Sequence, residues 1–231
     1  MTVVLATVCE DGVVLGSDSQ ITDKGRGMTY PAEKLHPLGE TAAWGGSGAR
    51  SVLTDVKRCF NENSASILEA PDIGRALQAQ VLPILRHHYE TFIPDVPGEE
   101  GGGTPSAYVM AAGWRDGEPW IIEITPSGMI GHYADIGFHA IVGGAAMAQQ
   151  AGSRLSHFHL GERSTRFGCA AVLRVLQALD LTSASVGKPF SLCRIDADGA
   201  HHLSNEEIEE LSGIVDRWEK AEQAIIGDIF D

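Results

Sequence analysis

Thr2-Val3-Val4-Leu5-Ala6-Thr7-Val8-Cys9-Glu10-Asp11-Gly12-Val13-Val14-Leu15-Gly16-Ser17-Asp18 is the stretch whose reading decides the fold. Val3 to Val8 is rich in β-branched residues and reads as a strand. Glu10-Asp11-Gly12 is a hairpin signal, with Asp-Gly expected to supply the positive-φ positions of a tight turn. Val13 to Gly16 then reads as the returning strand. A hairpin of this length brings the end of the second strand back beside the start of the first, so Asp18 is expected near Thr2. If Met1 is trimmed, which a small second residue favours, Thr2 becomes the chain terminus. A terminal threonine holds a nucleophile and a base in one residue, because its α-amine can take the hydroxyl proton. An ordinary α-amine has a pKa of about 7.7–8.0 and is partly neutral near pH 7. The plainer alternative is that Thr2 only begins an edge strand.

The residues that follow add weight to the first reading. Lys34 comes after a connection containing Gly25, Gly27 and Pro31. Ala42-Ala43-Trp44 then runs into Gly45-Gly46-Ser47-Gly48-Ala49. That glycine-rich stretch lies between a strand and a helix, where backbone N–H groups can face an oxyanion. It is not a phosphate loop, because no Lys-Ser/Thr pair follows it.

Taken together, Thr2-Val3-Val4, Asp11 to Ser19, Ala32-Glu33-Lys34-Leu35 and Gly46-Ser47-Gly48 resemble the start of a proteasome β-type subunit. That family consists of N-terminal-nucleophile (Ntn) hydrolases with a threonine nucleophile. Asp18, Lys34 and Gly48 stand sixteen, thirty-two and forty-six residues after Thr2, and these spacings match the family pattern without a gap. The family's non-catalytic α-type subunits carry an extra helix before the first strand, and here the sequence enters the strand directly.

The resemblance implies an α+β fold, a four-layer αββα sandwich, with residues 1–231 forming one domain. It implies that Thr2 attacks a peptide carbonyl, that Lys34 as an ammonium lowers the nucleophile's pKa, that Asp18 holds Lys34, and that the Gly48 N–H faces the oxyanion. A structural ion pair is the alternative for Asp18 and Lys34. After the fourth helix the family has an Asp-x-x-Ser-Gly element. Asp180-Leu181-Thr182-Ser183-Ala184 keeps Asp180 and Ser183 but not the glycine, and a second register would use Ser185. The family's Gly-Ser-Gly element is matched by Val142-Gly143-Gly144-Ala145-Ala146, which has no serine.

By the same resemblance, the substrate side chain would be read by Ile21, Ala32, His36, Gly46, Arg50 and Thr54, with Thr22 holding the substrate backbone. Gly46 is expected to leave the pocket deep. Arg50 or His36 would add positive charge, giving a preference for large apolar side chains first, acidic ones second, and basic ones last. The implied function is a threonine-type endopeptidase acting on unfolded protein or peptide within a homo-oligomeric ring, with the feeding partner, an ATPase or another, left open. A small-molecule Ntn amidohydrolase and a catalytically silent ring subunit are the alternatives.

Composition bounds these readings. The chain has 231 residues, 43% hydrophobic and 21% charged, with a net charge of −14. Such an anionic chain is a poor partner for nucleic acid. No apolar run is long enough for a membrane span, and Glu10-Asp11 interrupts any early signal segment. Cys9, Cys59, Cys169 and Cys193 are far apart and read as reduced core thiols of a cytoplasmic protein. His87-His88, His157-x-His159 and His201-His202 lack carboxylate or cysteine partners at ligand spacing, so neither metal nor cofactor is expected.

Farther along, helices are expected over residues 49–62 and from Pro71-Asp72 to about His88. Pro94 to Gly103 reads as a long surface loop. Strands follow at 107–114, 119–125 and 129–133, then helices at 144–157 and 164–179 and a strand at 190–195. The last helix opens on the capping box Ser204-Asn205-Glu206-Glu207.

Overall fold

The computed structural model describes residues 2–23, 28–94, 104–142 and 145–230. In chain order the elements are β1 (Val3–Cys9), β2 (Gly12–Ser17), β3 (Gln20–Asp23), β4 (Met28–Pro31), β5 (Leu35–Leu38), β6 (Ala42–Gly48), α1 (Arg50–Leu68), α2 (Ile73–Glu90), β7 (Ala107–Arg115), β8 (Glu118–Ile124), β9 (Ile130–His132), β10 (Phe138–Val142), α3 (Ala145–His157), α4 (Thr165–Thr182), β11 (Ser191–Asp196), β12 (Gly199–His202) and α5 (Asn205–Phe230). Two five-stranded antiparallel sheets, ordered β10-β1-β2-β11-β12 and β5-β6-β7-β8-β9, stack face to face. The expected four-layer αββα sandwich, the Ntn-hydrolase fold, is the observed one.

Each central strand is buried on both faces, which explains its unbroken apolar sequence. In β1, Val3 and Leu5 pack toward α3, α4 and α5, whereas Val4 and Ala6 point to the opposite sheet. In β6, Trp44 packs on α1 and α2 while Ala43 faces the sheet-to-sheet layer. These positions are close-packed. Truncating a fully buried leucine such as Leu15 to alanine costs about 2–5 kcal/mol.

The β1–β2 hairpin pairs Cys9 with Gly12 and Val4 with Ser17. Its turn differs from the expected one. Among the described residues, positive φ occurs at Asp116 and Gly117 of the β7–β8 turn but at neither Asp11 nor Gly12. Gly12 is instead the place where β11 crosses close by, since a Cβ there would lie 2.1 Å from the Ile195 carbonyl oxygen. Asp11 is used differently too. Its carboxylate accepts from the Thr165 backbone N–H at 2.6 Å, so it ties the hairpin to the start of α4.

Other boundaries also moved. The helix expected to end near residue 62 continues to Leu68, because Ile67 is buried beyond the polar run and Asn63 donates back to the Cys59 carbonyl. The helix expected to end at residue 179 continues to Thr182. Strands β3, β4, β5, β10 and β12 were not read from sequence, being short or placed at sheet edges. The capping box at α5 is present, with Ser204 Oγ accepting from the Glu207 N–H and Glu207 Oε2 accepting from the Ser204 N–H. Residues 95–103 of the expected surface loop and residues 143–144 of the Gly-Ser-Gly counterpart lie outside the described residues. Among the described residues no helix is long and apolar enough to cross a membrane, and the four cysteines are free thiols.

Candidate active site

The hairpin register sets the site. Asp18 follows β2 directly, and its backbone N–H donates to the Val3 carbonyl at 3.3 Å. Its side chain turns back to the same strand, with Oδ1 accepting from the Val3 N–H at 2.8 Å and Oδ2 from the Gln20 N–H at 3.0 Å. Asp18 therefore sits one residue from Thr2 and is fully buried.

Lys34 arrives from the other side, on the connection between β4 and β5. Its Nζ donates to Asp18 Oδ1 at 2.7 Å and to the Gln20 carbonyl at 2.7 Å. Burial pushes the Lys34 pKa below the ordinary lysine value, while the charge and hydrogen bond of Asp18 pull it back up. A buried ammonium with two close acceptors is the arrangement that keeps a lysine charged away from water.

Gly48 ends β6 where the sheet hands over to α1. Its φ is +136°, and a Cβ would lie 2.1 Å from the Ser106 carbonyl oxygen, so only glycine fits here. Helix α1 begins immediately afterwards, and its N-cap, Ala49, has no side-chain cap. The positive end of that helix dipole lies beside Gly48.

A cavity of about 470 Å³ brings these parts together. It is lined by Thr2, Lys34 and Gly48 and also by Ile21, Ala32, His36, Gly46, Arg50 and Thr54. Thr22 lies on β3 opposite Thr29; its side chain is outside the described residues. Two expectations about the pocket need correction. Gly46 does not open onto empty space, because a Cβ there would meet Leu53 Cδ2 at 2.4 Å, so Leu53 of α1 floors the cavity. His36 does not supply positive charge at neutral pH. Burial first, then the neighbouring Lys57 charge, pushes its pKa down to about 4. Its Nδ1 lies 3.3 Å from Glu33 Oε2 but is not aligned for a hydrogen bond, and its ring packs 4.9 Å from that of Trp44.

Sequence reasoning missed Glu33, Trp44, Leu53 and Lys57, which also line the cavity. The signal available was helical spacing, since Leu53 and Lys57 follow Arg50 at three and seven residues and share its face. Asp180 and Ser183 do not line the cavity. Asp180 is in the last turn of α4, and Ser183 follows the helix, its Oγ accepting from the Ser185 N–H at 3.3 Å in the turn beyond it. The loop they open does reach the site's flank, where the Ala184 carbonyl accepts from Gln20 Nε2 and the Gly187 carbonyl from the Ser19 N–H. Among the described residues no group of three or more His, Cys, Asp or Glu is placed to hold a metal ion.

No family model matches the sequence, and comparison with curated proteins finds no match. Solved structures do match. Anbu from Hyphomicrobium sp. strain MC1 superposes with a TM-score of 0.73 at 18% identity over 99% of this chain and 98% of that one. Its Gly-1 mutant gives 0.73 at 19% over 100% and 99%. Anbu from Yersinia bercovieri, described as an ancestral beta-subunit, gives 0.75 at 14% over 97% of each chain. At these identities the likeness is one of fold.

Proposed function

We propose that this protein is a threonine-type endopeptidase subunit of a proteasome-like ring, acting through Thr2 after removal of Met1. The observation that carries the proposal is Asp18, whose buried Oδ1 accepts at once from the Val3 N–H and from Lys34 Nζ. One oxygen thereby holds a cation at the residue next to the nucleophile, inside the cavity that Thr2 lines. The likeness of fold to a protein described as an ancestral beta-subunit supports the subunit part of the reading.

The chemistry follows from the residues. The Thr2 α-amine takes the proton from Oγ1 as that oxygen bonds to the substrate carbonyl carbon. Lys34, as an ammonium, stabilises the developing alkoxide. The carbonyl electrons move to an oxyanion facing the Gly48 N–H, a contribution on the order of 3–4 kcal/mol where such donors have been removed. Collapse breaks the C–N bond, and the leaving amine takes the proton held by the α-ammonium. Water, deprotonated by the same amine, then hydrolyses the acyl-threonine ester. An extended substrate would lie along β3, which among the described residues has β4 on one edge only, adding strand-like backbone hydrogen bonds.

The first test is processing. Intact mass of the purified, assembled protein is expected to lack Met1, because a blocked amine cannot act as base. Retention of Met1 would contradict the catalytic reading.

A further inference from the structure

The distal wall of the cavity is charged, and the charges come from residues with no part in the nucleophilic chemistry. Arg50, Thr54 and Lys57 lie at i, i+4 and i+7 along one face of α1 and line the cavity. Moving away from Gly48, the helix offers a guanidinium, then Leu53 and Thr54, then an ammonium about 10 Å farther along its axis. The Thr54 hydroxyl proton is committed to the Arg50 carbonyl at 2.9 Å, so Thr54 offers no donor to a ligand carboxylate. The apolar residues lining the same cavity include Ile21, Ala32, Trp44 and Leu53.

The two cations are loosely committed. Arg50 Nη1 lies 3.4 Å from Tyr30 Oη and the guanidinium 6.0 Å from that ring. Among the described residues it has no carboxylate partner. Lys57 Nζ pairs with Glu33 Oε2 at 3.1 Å, but the two side chains are 42% and 63% exposed. An ion pair this exposed is weak and exchanges partners readily. Lys34 is already balanced by Asp18, and His36 is neutral near pH 7. Two cations and one carboxylate, Glu33, therefore share this part of the cavity lining, in a chain whose net charge is −14.

We infer that the cavity selects a glutamate side chain before the scissile bond, with its methylene stem against Ile21, Trp44 and Leu53 and its carboxylate between Arg50 and Lys57. The inference rests on the peptidase reading of the cavity. It reverses the order expected from sequence, in which apolar side chains came first. An apolar side chain would cover Arg50 without giving it a partner and leave Lys57 only its exposed pair with Glu33, and a lysine or arginine would be repelled. Glu33 limits the preference by holding Lys57 when the pocket is empty.

The test uses the full-length Thr2→Ala protein, so that binding is read without the nucleophile. Acetylated tripeptide amides ending in Glu, Leu or Lys are titrated and followed by NMR chemical shifts. The Glu peptide is expected to bind about tenfold tighter than the other two, the range of a charge-assisted contact. Raising the salt should shrink that ratio. Lys57→Gln should lower it and Lys57→Arg should restore it, while Glu33→Gln should raise it. A Leu or Lys peptide binding as tightly as Glu, a ratio indifferent to Lys57→Gln, or no peptide binding would overturn the inference. Labelling of Thr2 by an electrophile is read separately on the unsubstituted protein, so failure of the pocket assignment and failure of the peptidase reading give different results.

Discussion

Lys34 Nζ and Asp18 Oδ1 are 2.7 Å apart, with side chains only 5% and 0% exposed. The pair is asymmetric. Asp18 keeps two backbone N–H donors if Lys34 is removed, whereas among the described residues Lys34 would keep the Gln20 carbonyl alone if Asp18 were removed.

That asymmetry predicts different stabilities but a common loss of activity. Asp18→Ala leaves a buried ammonium without its counter-charge and should destabilise the fold by about 3–5 kcal/mol. Lys34→Ala should destabilise it less and leave assembly intact. Both should abolish peptidase activity, and Asp18→Asn should nearly do so. Urea melts and a peptide-hydrolysis assay on the same samples check this; substantial turnover in Lys34→Ala would make the pair structural only.

Gly48→Ala should damage both stability and turnover. The residue's φ of +136° and the Ser106 carbonyl behind it leave no room for a methyl group. Backbone strain of this kind costs on the order of 1–3 kcal/mol, and relief of it would move the Gly48 N–H away from the oxyanion position proposed for it. A variant with unchanged melting temperature and turnover would remove Gly48 from the mechanism.

Acid should weaken the fold through His36. Its pKa is about 4 in the folded chain, against 6.5 for an ordinary histidine. As pH falls below 6.5 the unfolded chain gains a proton that the folded chain takes only near pH 4, so stability drops through that window. The loss is on the order of 3 kcal/mol. Glu33, held below its ordinary value of 4.5 because the Lys57 hydrogen bond and nearby charges outweigh its burial, adds a further loss below pH 4.5. His36→Gln should therefore flatten the decline between pH 6.5 and 4.5 in a series of denaturation midpoints. An equally steep decline in that variant would assign the acid sensitivity elsewhere.

Thiol chemistry should discriminate among the cysteines. Burial pushes Cys9, Cys169 and Cys193 up to about 12, so their thiolates are scarce at neutral pH and their sulfurs shielded. Cys59, half-buried on α1, is the accessible one, although its pKa is also raised, chiefly by burial. A maleimide at neutral pH should add once to the folded protein, at Cys59, and at all four positions after denaturation. Native-state labelling at any of the other three would contradict this packing.

Much of the layout was legible because it is local. The β1–β2 hairpin places Asp18 beside Val3 through a register that the apolar runs alone dictate, and the capping box at Ser204 announces the last helix. Long-range juxtapositions were not legible. Nothing in Asp11-Gly12 says that the aspartate will cap α4 or that β11 will press on the glycine. Strand β10 was missed because a five-residue edge strand gives little periodic signal. In the cavity, residues at family positions could be named, but Lys57 and Glu33 could not, since their meeting depends on how α1 lies against the connection before β5. The charge of His36 was misjudged for the same reason. A histidine's pKa follows from its burial against Trp44, which the sequence does not state.

The central claim is that Thr2 is a free terminal nucleophile activated by Lys34. The measurement that tests it most directly is treatment of the assembled protein with a terminal-threonine-directed electrophile, such as a peptide epoxyketone, followed by peptide mapping. One adduct per subunit is predicted, on the peptide that begins at Thr2, and it should be absent from Lys34→Ala. No adduct, an adduct elsewhere in the chain, or equal labelling of Lys34→Ala would contradict the account.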